Sequence, residues 1–206
     1  MAVAGKTCLI KLSGEPVAFT SEATSSADDK VYTLASTSLA GLPWDRDATV
    51  AVRVDGTPTT EAVVNRLAGT VEFSTADTRT VTVTGQYLPI STVGEAKEFT
   101  LSLTATNQED PAFGDDYVTR VQTLKDVTGS LGAWYADKAL VNVVAATSVT
   151  NPVLLEYFVA STSAYHARTW ALFNNDEISA SADGLVEESI DWEGTPDADE
   201  RAIDFN

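Results

Sequence analysis

Cysteine and histidine are almost missing from this 206-residue chain: Cys8 and His166 are the only ones. A single thiol excludes an internal disulfide framework and any cysteine-based zinc cluster. Cys8 is expected to be the plain reduced thiol of a protein that folds in a cytoplasm. A lone imidazole leaves no partner for a His-dependent metal site, and any Ser-His-Asp triad would have to use His166. That residue sits in Ala164-Tyr165-His166-Ala167-Arg168, in or beside a strand, where a surface or interface role is expected. Basic residues are scarce too. Thirteen Lys and Arg face 30 Asp and Glu, a formal net charge of −17. The basic stripe of a phosphate-backbone binder is absent, and the surface repels nucleic acid. No run approaches the roughly 20 apolar residues of a membrane helix. Met1 to Lys6 shows no apolar core, so no signal peptide is expected. Nor is there a G-x-S-x-G elbow, a P-loop, an H-E-x-x-H helix or an EF-hand loop. With these gone, most enzyme classes are gone, and no catalytic activity or cofactor is expected.

What is abundant is threonine and valine, 27 and 22 residues. Both are β-branched and favour a pleated, half-buried surface. Alternation places the strands. In Thr49 to Val54 the three valines share one face. Thr70 to Ser74 buries Val71 and Phe73, and Thr80 to Thr84 buries Val81 and Val83. Phe99 to Thr104 is expected to bury Phe99, Leu101 and Leu103. Val153 to Val159 is apolar on both faces except at Glu156, as in a strand covered on both sides. In Leu185 to Glu193, Val186, Ile190 and Trp192 fall on one face, with Glu188 as the exception. Glu187, Ser189, Asp191 and Glu193 fall on the other.

Turn signals separate these runs: Asp55-Gly56, then Gly85, Pro89 and Gly94. The polar stretch Asn107 to Asp116 reads as a long exposed loop, and Ser21 to Asp29 as a Ser/Ala/Asp-rich one. Residues 137–146 have helical apolar spacing behind Asp137, a fitting N-cap, and predict one short α-helix. The expected fold is mainly β: one antiparallel β-sandwich or barrel over 1–206, with that helix and long loops. Residues 176–206 hold eleven acids and one base. Residues 195–206 therefore read as an acidic, solvated tail.

Paired carboxylates for glycoside hydrolysis carry no signal, since with 30 acids some pair always lies in range. Glu109-Asp110 with Asp115-Asp116, and Asp197 with Asp199 and Glu200, lack the spacing of a known calcium loop. No metal site is expected. The four tryptophans (Trp44, Trp134, Trp170, Trp192) are scattered, which fits packing better than a sugar platform.

The order of elements carries a resemblance. It runs Tyr32-Thr33-Leu34, Trp44-Asp45-Arg46, Val50-Ala51-Val52 ending at Asp55-Gly56, Gly69-Thr70-Val71-Glu72-Phe73, then Val81-Thr82-Val83-Thr84-Gly85-Gln86-Tyr87-Leu88-Pro89. Phe99 to Thr106, Gly129-Ser130-Leu131-Gly132-Ala133-Trp134-Tyr135 and Leu172 to Gly194 continue it. This set resembles the major tail tube proteins of long, non-contractile tailed bacteriophages. The resemblance covers most of the chain. The stretch from Gly14 to Lys30 has no counterpart in it, and the extra C-terminal immunoglobulin-like domain of some relatives is absent from these residues.

The resemblance implies a structural virion protein, made in the host cytoplasm. Copies of it would form rings, usually of six, whose sheets join into an inner barrel. The rings would stack into a tube. Its partners would be itself, a tape measure protein in the lumen, and terminator and baseplate or tip proteins at the ends. DNA would pass through without specific binding. The candidates for inter-ring contact are Asn107, Glu109, Asp110, Phe113, Asp115 and Asp116, with the Ser21–Asp29 loop. Glu187, Asp191 and Glu193 are the candidate acidic, lumenal face. Two other readings stay open: a β-rich decoration or head–tail adaptor protein, and a carbohydrate-binding β-sandwich exposing Trp44 or Trp134.

Overall fold

The computed structural model describes residues 9–92, 96–110, 117–118, 120–134, 142, 145, 147–148, 152–158, 166–180 and 186–205. Its strands are β1 (Leu9–Ser13), β2 (Val17–Ser26), β3 (Val31–Leu34), β4 (Ala51–Val54), β5 (Thr57–Thr59), β6 (Val63–Asn65), β7 (Thr70–Glu72) and β8 (Val81–Tyr87). There follow β9 (Ile90–Thr92), β10 (Ala96–Glu109), β11 (Arg120–Trp134), β12 (Val153–Phe158), β13 (His166–Ser179), β14 (Glu187–Gly194) and β15 (Ile203–Phe205). The fold is mostly β, as the alternation predicts, with two antiparallel sheets. By contacts the chain divides into two compact units.

The first unit is built from residues 1–93, 153–170 and 196–206. Its seven-stranded sheet has the order β5-β4-β8-β2-β3-β7-β6. The end strands β5 and β6 are neighbours in sequence, so the sheet curls into a half-barrel. The β4–β5 hairpin turns at Asp55-Gly56, with φ of 50° and 83°. Two positive φ values in a two-residue loop suit the right-handed twist of the flanking strands. Inside the curl sit Phe19, Tyr32, Leu34, Trp44, Val52, Val71, Phe73, Val81 and Val83. Each such side chain stabilises the fold by about 1.5–3 kcal/mol. The valines of Thr49 to Val54 share a face as predicted: Val52 is buried while Ala51 and Arg53 are exposed.

Trp44 is fully buried, and its backbone N–H donates to the Arg66 carbonyl at 2.7 Å. Beside it, Gly69 has φ +68°, and a Cβ there would lie 2.0 Å from the Leu42 carbonyl oxygen. Only glycine fits both the conformation and the approach.

The Ser21–Asp29 stretch is corrected by the structure. Most of it is the end of β2, which pairs β8 on one side and β3 on the other. The ladder breaks between Phe19 and Glu22, with Ser21 at φ 51°. Thr24 is the single β-branched residue of the Ser21–Asp29 stretch, and of the strand's side chains only Phe19 is buried, so alternation gives no signal.

The same unit contains β9, β1, β12 and the first residues of β13 as consecutive neighbours, with β15 against β13. β12 buries Leu154, Leu155, Glu156 and Tyr157 in succession, the two-sided strand expected from sequence. Leu67, Leu88, Leu154 and Trp170 form a second core there. Residues 195–206 are not a loose tail. Ile203 to Phe205 pair with Thr169 to Ala167, and the Asp197 carboxylate accepts the N–H groups of Asp199 and Arg201. Net charge alone does not forbid order where acids such as Asp197, Asp199 and Asp204 find donors.

The second unit comprises residues 94–152 and 171–195. Its strands run β10-β11-β14, then the later part of β13. Val127, Leu131, Ala133, Phe173, Ile190 and Trp192 are buried. Trp192 pairs with Gly129, where a Cβ would meet the tryptophan ring at 2.3 Å. Gly129 thus makes room for the largest side chain of this unit's core. The strand predicted at Phe99 to Thr104 is present, but Phe99 and Leu101 are only half-buried and Leu103 is 53% exposed. Of the helix expected at 137–146, Asn142 and Ala145 are helical; the other residues of that stretch lie outside the described residues.

Candidate functional site: an acidic sheet face and its arm

Cross-strand partners share a face of a sheet. In the second unit, Thr100 pairs with Ser130, Ser130 with Asp191, and Asp191 with Asn175. One step toward one end, Ser102, Thr128 and Glu193 align. One step toward the other, Glu98, Gly132, Ser189 and Glu177 align, followed by Glu187 and Ser179. Four strands therefore present Glu98, Glu177, Glu187, Asp191 and Glu193 among serines and threonines, with Leu172 and, by its register with Glu187, Trp134 as apolar positions. Among the described residues of this face there is no lysine or arginine. Thr100 and Ser130 hydroxyls lie 2.9 Å apart and tie the two outer strands.

The opposite face of the same strands carries the core: Leu131, Ile190 and Trp192, with Glu188 buried among them. Glu98, Glu177, Glu187 and Glu188 line a cleft of about 190 Å³. No carboxylate here stands directly opposite another; diagonal neighbours such as Glu177 and Glu187, ~7–8 Å apart, repel by about 0.5 kcal/mol in a water-like medium, less in salt. The face therefore opposes folding slightly, and its charge is not explained by stability.

Beyond this face, β10 and β11 run on as a two-stranded arm. From Ser102 to Asp110 and from Arg120 to Asp126 every described side chain is exposed. A two-stranded ribbon is marginal in water by itself. It bears Leu103, Val121 and Leu124, exposed by 53%, 49% and 74%.

The structure sorts the expected residues. Glu187, Asp191 and Glu193 do share one face, Glu187 partly covered and the others exposed. Asn107 and Glu109 lie in β10 rather than in a loop, paired with Gln122 and Arg120. Glu109 also forms an ion pair with Arg120 at 3.0 Å. Asp110 follows the strand, while Phe113, Asp115 and Asp116 lie outside the described residues. The arm reads as loop because its strands bury nothing, so no apolar alternation marks them. Sequence reasoning misses Glu98, Glu177 and the hydroxyl ladder; the outward set of Phe99 to Thr104 is the signal for the ladder.

Three tryptophans, Trp44, Trp170 and Trp192, are at most 1% exposed and form no platform; the side chain of Trp134 lies outside the described residues. His166, for which a surface or interface role is expected, lies in β13 and is 13% exposed. Its ring stacks on Phe158 at 5.0 Å and its Nε2 lies 3.6 Å from Glu156 Oε1. Glu156 takes Arg168 Nε at 2.7 Å and Lys11 Nζ at 3.3 Å, and Arg168 Nη1 donates to the Leu67 carbonyl at 2.7 Å. A buried carboxylate with such partners is an internal ion cluster, not an exposed acid–base pair.

Among the described residues no group of three or more His, Cys, Asp or Glu could hold a metal ion. No described helix is long and apolar enough to cross a membrane. No protein-family model and no curated protein sequence matches the chain.

Proposed function

We propose that this protein is a structural subunit that assembles with copies of itself into stacked rings, the tail tube of a long-tailed bacteriophage. The observation that carries the reading is the sheet face with five carboxylates, a hydroxyl ladder and, among the described residues, no cation. A polyanion sliding along such a surface is repelled everywhere and held nowhere. In the tube, that face lines the lumen and DNA passes over it without specific binding; a tape measure protein fills the same space beforehand. Two further features support the reading. Among the described residues, β10 and β9 end the pairing order of their sheet, and strand edges are ready-made interfaces between subunits. The arm, with Asn107, Glu109 and Asp110 toward its tip, supplies contacts between rings. The protein acts in the virion and is not an enzyme.

Negative-stain electron microscopy of the purified protein at low and high concentration tests this. Hollow tubes or stacked rings are the expected result. Closed oligomers that never stack, at any concentration, would favour a decoration or adaptor protein. A sugar-dependent change in tryptophan fluorescence would favour the carbohydrate-binding reading, which the burial of Trp44 already weakens.

A further inference from the structure

We propose that residues 196–206 are an exchangeable strap, a strand that seats on its own chain or, in its place, on a second copy. This does not rest on the tube reading. The seat is the edge of β13 from Ala167 to Thr169, where β15 makes three register pairs. Thr169 Oγ1 donates to the Ala202 carbonyl at 2.8 Å, and the Trp170 N–H reaches the same oxygen at 3.4 Å.

Polar clasps do the rest. The Arg66 guanidinium pairs with Asp199, Asn65 Nδ2 donates to Asp204 Oδ1 at 3.0 Å, and Arg46 Nε donates to the Pro196 carbonyl at 3.0 Å. Apolar anchoring is slight. Phe205 is 63% exposed, and Ala202 and Ile203 are only half-buried. Asp197 is the one fully buried residue, and its carboxylate caps the strap's own turn, so that turn travels with the strap.

A segment held mainly by partly exposed charge opens well below the free energy of global unfolding. Opening uncovers the backbone of a buried strand: Thr169 is fully covered and Arg168 is 4% exposed. The strand whose length, register and charges fit that edge is β15, and a second copy carries an identical one. Exchange then keeps every contact of the closed form and adds a link between chains.

A charge swap tests the exchange in the full chain. Arg66→Glu brings two carboxylates together at the clasp, and Asp199→Lys brings two cations together there. Either change alone spoils the clasp within its own chain. Mixed together, the two single variants form a matched clasp only by trading straps, and the double variant matches within one chain. Native mass spectrometry should show a 1:1 pair in the mixture, at least about tenfold over either variant alone. The double variant should behave as the wild type, which also shows that the changed residues allow folding. A mixture that pairs no better than its components overturns the proposal. In the unmodified protein, hydrogen exchange at the Trp170 amide should quicken as salt is raised. Exchange there only with global unfolding, and insensitive to salt, overturns it equally.

Discussion

Replacing Glu156 by glutamine removes one charge and almost no volume. Its side chain is 1% exposed and faces two cations, Lys11 and Arg168, and the His166 imidazole. Arg168, 5% exposed, keeps its bond to the Leu67 carbonyl but loses the carboxylate at 2.7 Å. Lys11 is 25% exposed and can turn to water. Breaking a buried pair on one side costs about 3–5 kcal/mol. The glutamine oxygen still accepts a hydrogen bond, which places Glu156→Gln near the lower figure, about 3 kcal/mol. For a chain of this size that is a fall in Tm of about 6–12 °C. Removing both partners is the sharper comparison. Glu156→Leu with Arg168→Met takes both charges out of the interior, and such exchanges are often neutral or better. The Leu67 carbonyl then loses a donor, worth about 1 kcal/mol. The double variant should therefore unfold within about 1 kcal/mol of the wild type. Urea unfolding followed by near-ultraviolet circular dichroism reads both, because Trp170 belongs to the adjoining core. A loss below about 1 kcal/mol for Glu156→Gln would show that the cluster is wet or rearranges freely, and would refute the reasoning.

Gly129→Ala drives a methyl into the Trp192 ring and the Thr100 carbonyl, and should cost about 1–3 kcal/mol in thermal denaturation. Leu124→Asp, at a residue 74% exposed, should leave unfolding within about 0.5 kcal/mol of the wild type yet abolish tubes in electron micrographs. Asp191→Lys with Glu193→Lys should likewise leave the fold intact, while in a gel-shift assay the variant binds DNA that the wild type ignores. Asp28 accepts the N–H groups of Val31 and Lys30 and the Ser26 hydroxyl, which hold its carboxyl below its ordinary value of 3.8. A lowered folded pKa means its contribution is complete above the unfolded value and is lost as pH falls through the folded one. An NMR titration of the Asp28 carboxyl should find a midpoint below 3.8.

The β class and the strands β4, β7, β8, β10 and β14 are legible because apolar and polar residues alternate along them. Val81 and Val83, or Ile190 and Trp192 against Asp191 and Glu193, announce both a strand and its faces. The two-sided burial of β12 is legible for the opposite reason, an apolar run that does not alternate. What failed to show was structure that buries little. The arm reads as polar loop because most of its residues face solvent, and β2 reads as loop because of its side chains only Phe19 is buried. The C-terminal stretch reads as tail because its acids are held by partners far away in sequence, Arg66 and Asn65. One half of the acidic face was visible in β14. The other half, Glu98 and Glu177, needed the register between strands, which no single segment contains.

The curled unit is gathered from three separate stretches of the chain, the last of them residues 196–206. A ribosome delivers these stretches in order. β1 emerges early, but its partner β12 begins only at Val153. At ordinary elongation rates the wait is on the order of 10 s. Throughout it, the edge of β1 that β12 will cover stays open, and β13 waits longer still for β15. The seven-stranded sheet and its core, all from residues 17–87, can close long before this, so β1 and β13 wait beside an already curled sheet.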